Sequence, residues 1–212
     1  MITRRFVLVA VVLAGVLSLA AHAACDTALL VIDVQELFLT FGEWPTSSGE
    51  GIVAAVARVL SLARSAGVPV IYIQDFSIPQ ADTLYEGQLG FPAAISPQRG
   101  EPVFAKFFGD AFTTAEFAEY MQEQGIERVF FCGIASGGCV QATLFSAITK
   151  GYDTAVVADA HSNGSGDAGA SLIGFSHQSS EKLNRYWKGL GISVAAMDDI
   201  DWDSLGCNAE AD

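Results

Sequence analysis

The sequence predicts an α/β fold: a single-domain, three-layer α/β/α sandwich around a mostly parallel, doubly wound sheet. Three observations carry the prediction. Short apolar runs alternate with longer segments of helical period across residues 25–212, the signature of a parallel sheet covered on both faces. No internal repeat, low-complexity tract or linker divides that stretch, and its 188 residues suffice for one sizeable core. Finally, Asp33, Asp75, Lys106, Cys139 and Asp159 all fall at or just after the ends of the apolar runs, where open sheets of this kind hold their ligands.

The elements follow in order. Ala28 to Asp33 reads as a buried strand that ends in an acid. Gly51 to Ala66 is helical, with apolar residues at 52, 53, 56, 59, 60 and 63 on one face. Gly67-Val68-Pro69 turns the chain into a second strand, Val70 to Gln74. Asp75 to Pro102 lacks periodicity and is rich in Gly and Pro, which marks a functional loop. Val103 to Ala105 is a short strand, and Thr113 or Thr114 caps the helix after it. Arg128 to Cys132 is a strand, Gly133 to Gly138 a tight turn, and Cys139 to Lys150 a helix. Tyr152 to Ala158 is a strand, Ala168 to Lys188 mostly helix, and Ile192 to Ala196 the last strand.

Residues 1–24 read as a cleavable signal peptide. Arg4 and Arg5 precede the apolar run Phe6 to Ala21, and Ala21-His22-Ala23 supplies the small-x-small pattern of a cleavage site. A retained anchor is the alternative, because the run approaches the ~20 residues that span a bilayer. Gly15, the alanine cluster and the immediate start of a folded pattern favour cleavage, which places residues 25–212 in the periplasm or outside the cell, with no membrane contact once the signal is gone. Cleavage removes two arginines and no acid, taking the formal charge from -13 to -15. So acidic a surface repels phosphate backbones, which excludes nucleic acid as a partner and leaves a small molecule.

Four cysteines remain: Cys25, Cys132, Cys139 and Cys207. They include no CxxC pair, so neither zinc nor thioredoxin chemistry is indicated. Cys25 and Cys207 lie near the two ends of the mature chain, and the sequence leaves open whether they are joined, since bridging depends on a distance it does not contain. Cys132 lies within a strand and reads as an inert core thiol. His161 and His177 have no carboxylate at a telling spacing and read as structural groups. Gly164-Ser165-Gly166 is a loop, since the lysine and helix of a phosphate-binding loop are missing.

Gly133-Ile134-Ala135-Ser136-Gly137-Gly138-Cys139-Val140 joins a strand to a helix through small residues. Cys139 thus falls at a helix N-terminus, where backbone N–H groups and the helix dipole favour the thiolate and can hold an oxyanion. The competing reading is a small apolar Cys filling a gap between strand and helix. Asp33 caps the following turn or serves chemistry. Lys106, within Phe104-Ala105-Lys106-Phe107-Phe108, either snorkels past the rings or pairs with an acid and a thiolate.

Together these segments resemble the isochorismatase-like cysteine hydrolases, a superfamily that includes nicotinamidases, N-carbamoylsarcosine amidases and ureido-group hydrolases. The resemblance rests on Asp33-Val34-Gln35, Lys106 with Ala111-Phe112, Gly133 to Val140, Gly151-Tyr152-Asp153 and Asp159-Ala160-His161-Ser162, in order over residues 25–212. It implies that Cys139 is the nucleophile, Asp33 the general base, and Lys106 the cation between them that lowers the thiol pKa. It further implies an oxyanion hole from the N–H groups of Ala135 and Cys139, a cis peptide at Ile134-Ala135, and substrate contacts from Phe38 and Gln35. The competing reading for Phe38 is core packing. Oligomeric state is open, and the resemblance allows a homo-oligomer.

This sequence also departs from the pattern. Nicotinamidases carry an Asp-x-His metal pair after the second strand, where this chain has Asp75-Phe76-Ser77, and no histidine occurs between 23 and 160. No metal and no cofactor are therefore expected. Ser136 stands where the motif usually has Thr. The expected activity is an exported cysteine hydrolase that cleaves a C–N bond of a small amide or ureide through a thioester. The alternative is an exported binding or interaction protein on the same scaffold, without turnover.

Overall fold

The structure, a computed structural model, describes residues 25–78, 87–164 and 178–207. The signal sequence expected at 1–24, His177 and the first part of the helix expected over 168–188 lie outside the described residues. Six strands form one parallel sheet: β1 (Thr27–Ile32), β2 (Val70–Asp75), β3 (Val103–Lys106), β4 (Arg128–Ile134), β5 (Asp153–Ser162) and β6 (Ser193–Ala195). Their order across the sheet is β3-β2-β1-β4-β5-β6. The chain winds outward from β1 to one edge, returns, and winds outward again from β4. The direction reverses between β1 and β4, so the carboxyl ends of these two strands frame the natural ligand crevice.

Among the described residues, five α-helices accompany the sheet: α1 (Glu36–Leu39), α2 (Ile52–Ala66), α3 (Ala115–Glu123), α4 (Gln141–Thr149) and α5 (Ser180–Gly189). Alternation along β1 separates two cores. Leu29 and Val31 join α2 and Trp202 on one face, while Ala28, Leu30 and Ile32 join α3, α4 and α5 on the other. All six β1 side chains are buried, which is why this strand reads as an unbroken apolar run. Helix α2 stops at Gly67, whose φ of 76° suits glycine at a left-handed C-terminal position. Among the described residues, no helix is long and apolar enough to cross a membrane.

Beyond small shifts of boundary, such as β4 reaching Ile134 and the helix after Cys139 starting at Gln141, two differences stand out. The short helix α1 was not expected, because four residues are too few for periodicity to register. Strand β5 runs four residues beyond Ala158, to Ser162, after a register shift against β4. The polar run Asp159-Ala160-His161-Ser162 looks like a strand end in sequence. In the fold, His161 and Ser162 are fully buried and find partners on neighbouring segments.

Cys25 and Cys207 form a disulfide with a Cα–Cα distance of 4.8 Å, which settles the pairing that the sequence leaves open. Cys132 is a fully buried free thiol, as its place within a strand indicates.

Candidate active site

Three neighbouring strands, β1, β2 and β3, and the turn after β4 each deliver one side chain to a single point. Asp33 follows the last residue of β1 with φ 55°, a left-handed conformation that costs a non-glycine residue about 1–2 kcal/mol. Its N–H donates to the Ile73 carbonyl at 3.1 Å, and its own carbonyl accepts from Gln35 at 2.7 Å, so the surrounding backbone holds it there. Gly133, on the adjacent strand, has φ 116°, and a Cβ at that position would lie 2.1 Å from the Ile32 carbonyl oxygen. Only glycine lets β4 approach so near the residue that precedes Asp33.

Lys106 closes β3 and pairs in register with Asp75 at the end of β2. Cys139 lies in the turn Ser136–Val140 that leads into α4, just after the cis peptide Ile134–Ala135 that the resemblance implies.

The Lys106 ammonium is the centre of the cluster. Its Nζ lies 2.9 Å from Asp33 Oδ2 and donates to Cys139 Sγ at 3.3 Å. It also donates to Asp75 Oδ2 in a short contact. Cys139 Sγ in turn donates to Asp75 Oδ2 at 3.7 Å. Lys106 is 0% exposed and Asp33 2%, so these interactions act with little solvent screening. Cys139 keeps partial exposure. Asp33, Lys106 and Cys139, separated by up to 106 residues in sequence, thus converge as expected. Asp75 is the member that sequence reasoning left without a role. Its signal was the acid at a strand end, whose partner emerges only from the β2–β3 register.

Sharing one cation among three acceptors has unequal effects. Burial works against the ammonium, but Asp33, Cys139 and Asp75 outweigh it and hold Lys106 above its ordinary pKa. Burial pushes the Asp33 carboxyl up to about 7, with Lys106 opposing and Asp75 adding to the rise. Burial, followed by Asp33, also raises the Cys139 thiol, and Lys106 only partly offsets this. Lys106 thus lowers the thiol pKa, as the resemblance implies, but burial and Asp33 outweigh it. The resting group is a thiol, and it needs a base.

The other expected residues take several places. Gln35 has no exposed surface, and its amide is spent on backbone: Nε2 donates to the carbonyls of Asp75 at 3.2 Å and Leu89 at 2.9 Å, while Oε1 accepts from the Asp75 N–H at 2.6 Å. The substrate contact expected of Gln35 gives way to positioning of Asp75. Phe38 is 8% exposed and lies in the α2-side core, so packing dominates its surroundings. Asp159 stands apart from the cluster, accepting from the Met197 N–H at 2.9 Å.

The turn that carries Cys139 is braced from the end of β5. Ser136 Oγ lies 2.7 Å from His161 Nδ1, and the Gly137 N–H donates to Asn163 Oδ1 at 3.0 Å. Gly138 and Val140 both donate to the Ala135 carbonyl, at 2.9 and 3.2 Å. His161 is structural, as expected, but what it supports is the turn carrying Cys139.

The donor set does not fit the metal of the nicotinamidase pattern. Asp33, Asp75 and Cys139 offer ligand atoms within 4.8 Å of one another, yet the Lys106 ammonium contacts all three. A fixed cation already takes the position an ion would need. The second oxygen of Asp75 accepts the backbone N–H of Ser77, the residue that replaces histidine in the Asp-x-His pair.

Fold and cluster together place a buried acid–lysine–cysteine group at the carboxyl edge of a parallel α/β sheet. Residues 27–174 match the isochorismatase domain model. The chain belongs to the isochorismatase family. It is 31% identical over 149 residues to the maleamate amidohydrolase of Pseudomonas putida, covering 61% of this chain and 69% of that protein. It is 26% identical over 178 residues to the ureidoacrylate amidohydrolase RutB of Variovorax paradoxus, covering 67% of this chain and 70% of that one. The crystal structure of N-carbamoylsarcosine amidase from Thermoplasma acidophilum superposes with a TM-score of 0.64 at 22% identity, covering 82% of this chain and 98% of that chain, which shows a shared fold.

Proposed function

We propose that this protein is an exported cysteine hydrolase that cleaves the C–N bond of a small amide or ureide through a thioester on Cys139. The observation that carries the reading is the buried Lys106 ammonium, 2.9 Å from a carboxylate oxygen of Asp33 and 3.3 Å from Cys139 sulfur. The names of the amidohydrolase relatives support the bond class.

Asp33, with its pKa near 7, is suited to accept and return a proton at neutral pH. It takes the thiol proton, with Lys106 stabilising the sulfur charge as it forms. Sulfur attacks the carbonyl carbon, and the π pair moves to oxygen, where the N–H groups of Ala135 and Cys139 receive it. Collapse breaks the C–N bond, Asp33 returns the proton to the departing nitrogen, and ammonia or an amine leaves. Water then adds to the thioester, losing a proton to Asp33. The acid product departs, and the sulfur is reprotonated. Phe38, on the short helix α1 that follows Asp33, is retained as a stacking candidate.

Export is supported by the Arg4-Arg5 and apolar pattern at the N-terminus and by the Cys25–Cys207 disulfide, a bond favoured in oxidising compartments. The test of the activity is ammonia release from a panel of amides and ureides. Cys139→Ala should lower turnover at least about a thousandfold, with the fold intact by circular dichroism. Undiminished turnover in that variant would remove the nucleophile and the proposal with it.

A further inference from the structure

The cluster holds two carboxylates against one ammonium, and that ammonium is fully engaged by Asp33, Asp75 and Cys139. Lys106 therefore has no free contact to offer a negative group on a substrate. The remaining basic side chains among the described residues are accounted for elsewhere, and Arg4 and Arg5 fall in the expected signal sequence. Arg58 pairs with Glu50 and Asp198, Arg64 with Glu101, and Arg128 with Asp153. Lys150 lies over the Phe112 ring, beyond the far end of α4 from Cys139. Lys182, Arg185 and Lys188 are exposed on α5, whose buried face is formed by Leu183 and Trp187. Arg99 is exposed ahead of β3, at the opposite end of that strand from Lys106. Segments 79–86 and 165–177 contain no lysine or arginine in the sequence.

We infer that the substrate of this site carries no carboxylate or other negative group: the enzyme takes an uncharged or cationic amide or ureide. The inference rests on the hydrolase reading above and narrows it. A substrate carboxylate beside Cys139 would be desolvated next to Asp33 and Asp75, with no free guanidinium or ammonium among the described residues to compensate it. The residues that follow Lys106 and Asp75 in the chain are aromatic instead. Phe107 directly follows Lys106 and is 61% exposed, and its ring lies 6.2 Å from that of Phe76, which directly follows Asp75. Such faces suit neutral groups or cations. Two relatives are named for substrates that are themselves acids, maleamate and ureidoacrylate, so this chain departs from them in charge preference.

The test uses iodoacetamide and iodoacetate, thiol reagents of nearly equal size that differ by one negative charge, so it needs no knowledge of the substrate. Alkylation of Cys139 is followed by peptide mass spectrometry, and each rate is divided by that for glutathione. Normalised in this way, iodoacetamide should react at least about tenfold faster than iodoacetate, as one repulsive like-charge contact implies. Asp75→Asn should narrow the ratio at least about threefold. Equal rates, or a preference for iodoacetate, would overturn the inference, and an unchanged ratio in Asp75→Asn would overturn the role given to Asp75. Labelling by neither reagent would remove the nucleophile on which everything here rests. A preference for iodoacetamide without turnover of any neutral amide would sink the hydrolase reading while leaving the charge selection standing.

Discussion

His161 Nε2 lies 2.8 Å from Asn184 Oδ1, and this contact orients a chain of hydrogen bonds that ends on the turn carrying Cys139. Asn184 Nδ2 donates to the Ala158 carbonyl at 2.9 Å, so its Oδ1 must be the acceptor facing the ring. Nε2 therefore carries the proton, Nδ1 accepts, and the Ser136 hydroxyl donates to it at 2.7 Å. A neutral ring is required at every step, and burial lowers the His161 pKa to about 4.

A defined acid sensitivity follows. Between the ordinary histidine value of 6.5 and the folded value of about 4, the unfolded chain binds a proton that the native protein does not. His161 thus makes stability rise with pH across that window: its full contribution is present above about 6.5 and is lost as the pH falls toward 4. The limit is on the order of 3 kcal/mol. In urea titrations at pH 7 and pH 4.5, His161→Gln should lose stability at pH 7, and its deficit relative to wild type should shrink at pH 4.5. A deficit that does not change with pH would show that the ring does not titrate in this way.

Asp33 has the opposite sign. Its carboxyl is raised from 3.8 to about 7, so in that window the native state holds a proton that the unfolded chain has released. Its stabilising contribution is complete below about 3.8 and is lost as the pH rises through 7. Asp33→Asn keeps a residue that tolerates φ 55° and cannot ionise. The variant should therefore gain stability over wild type as pH rises from 5 to 8, by about 3 kcal/mol, while losing turnover. In wild type, kcat/KM should fall about tenfold per pH unit on the acid side of 7, where the base is protonated. An acid limb centred near pH 4 would contradict the buried environment described for this carboxyl.

How much of this was legible in the sequence depended on whether a residue's role is local or crosses the fold. Asp33, Lys106 and Cys139 announce themselves as reactive groups at the ends of apolar runs, and parallel strands bring such ends to one edge. The role of Asp75 arises from the pairing of β2 with β3, which puts it level with Lys106, and a one-residue slip would turn it to the other face. Gln35 looked like a substrate ligand because an amide beside a reactive acid is free to bind anything until the neighbouring loops close over it. His161 was legible as structural, but its support of Ser136 depends on β5 extending past a register shift. The balance at the Cys139 thiol is not legible in the sequence because burial and Asp33, which outweigh Lys106, are invisible in one dimension.

The Cys25–Cys207 disulfide closes a sequence separation of 182 residues, so nearly the whole described chain lies inside its loop. Constraining so long a loop in the unfolded state is worth up to roughly 5 kcal/mol in the chain-entropy model. Both sulfurs lie beside the Gly67 carbonyl, at 3.7 and 3.1 Å, just past the C-terminus of α2 and ahead of the first residue of β2. That is the amino edge of the sheet, whereas Asp33, Asp75 and Lys106 stand at the carboxyl ends of their strands. The bond should consequently act on stability alone. Cys207→Ser, or reduction of wild type, should lower the thermal midpoint by about 10–15 °C for a domain of this size. At 20 °C, kcat/KM per folded molecule should stay within about twofold of wild type. A loss of activity without a loss of stability would mean that the two edges of the sheet are coupled, which no contact between the disulfide and the Lys106 cluster among the described residues provides.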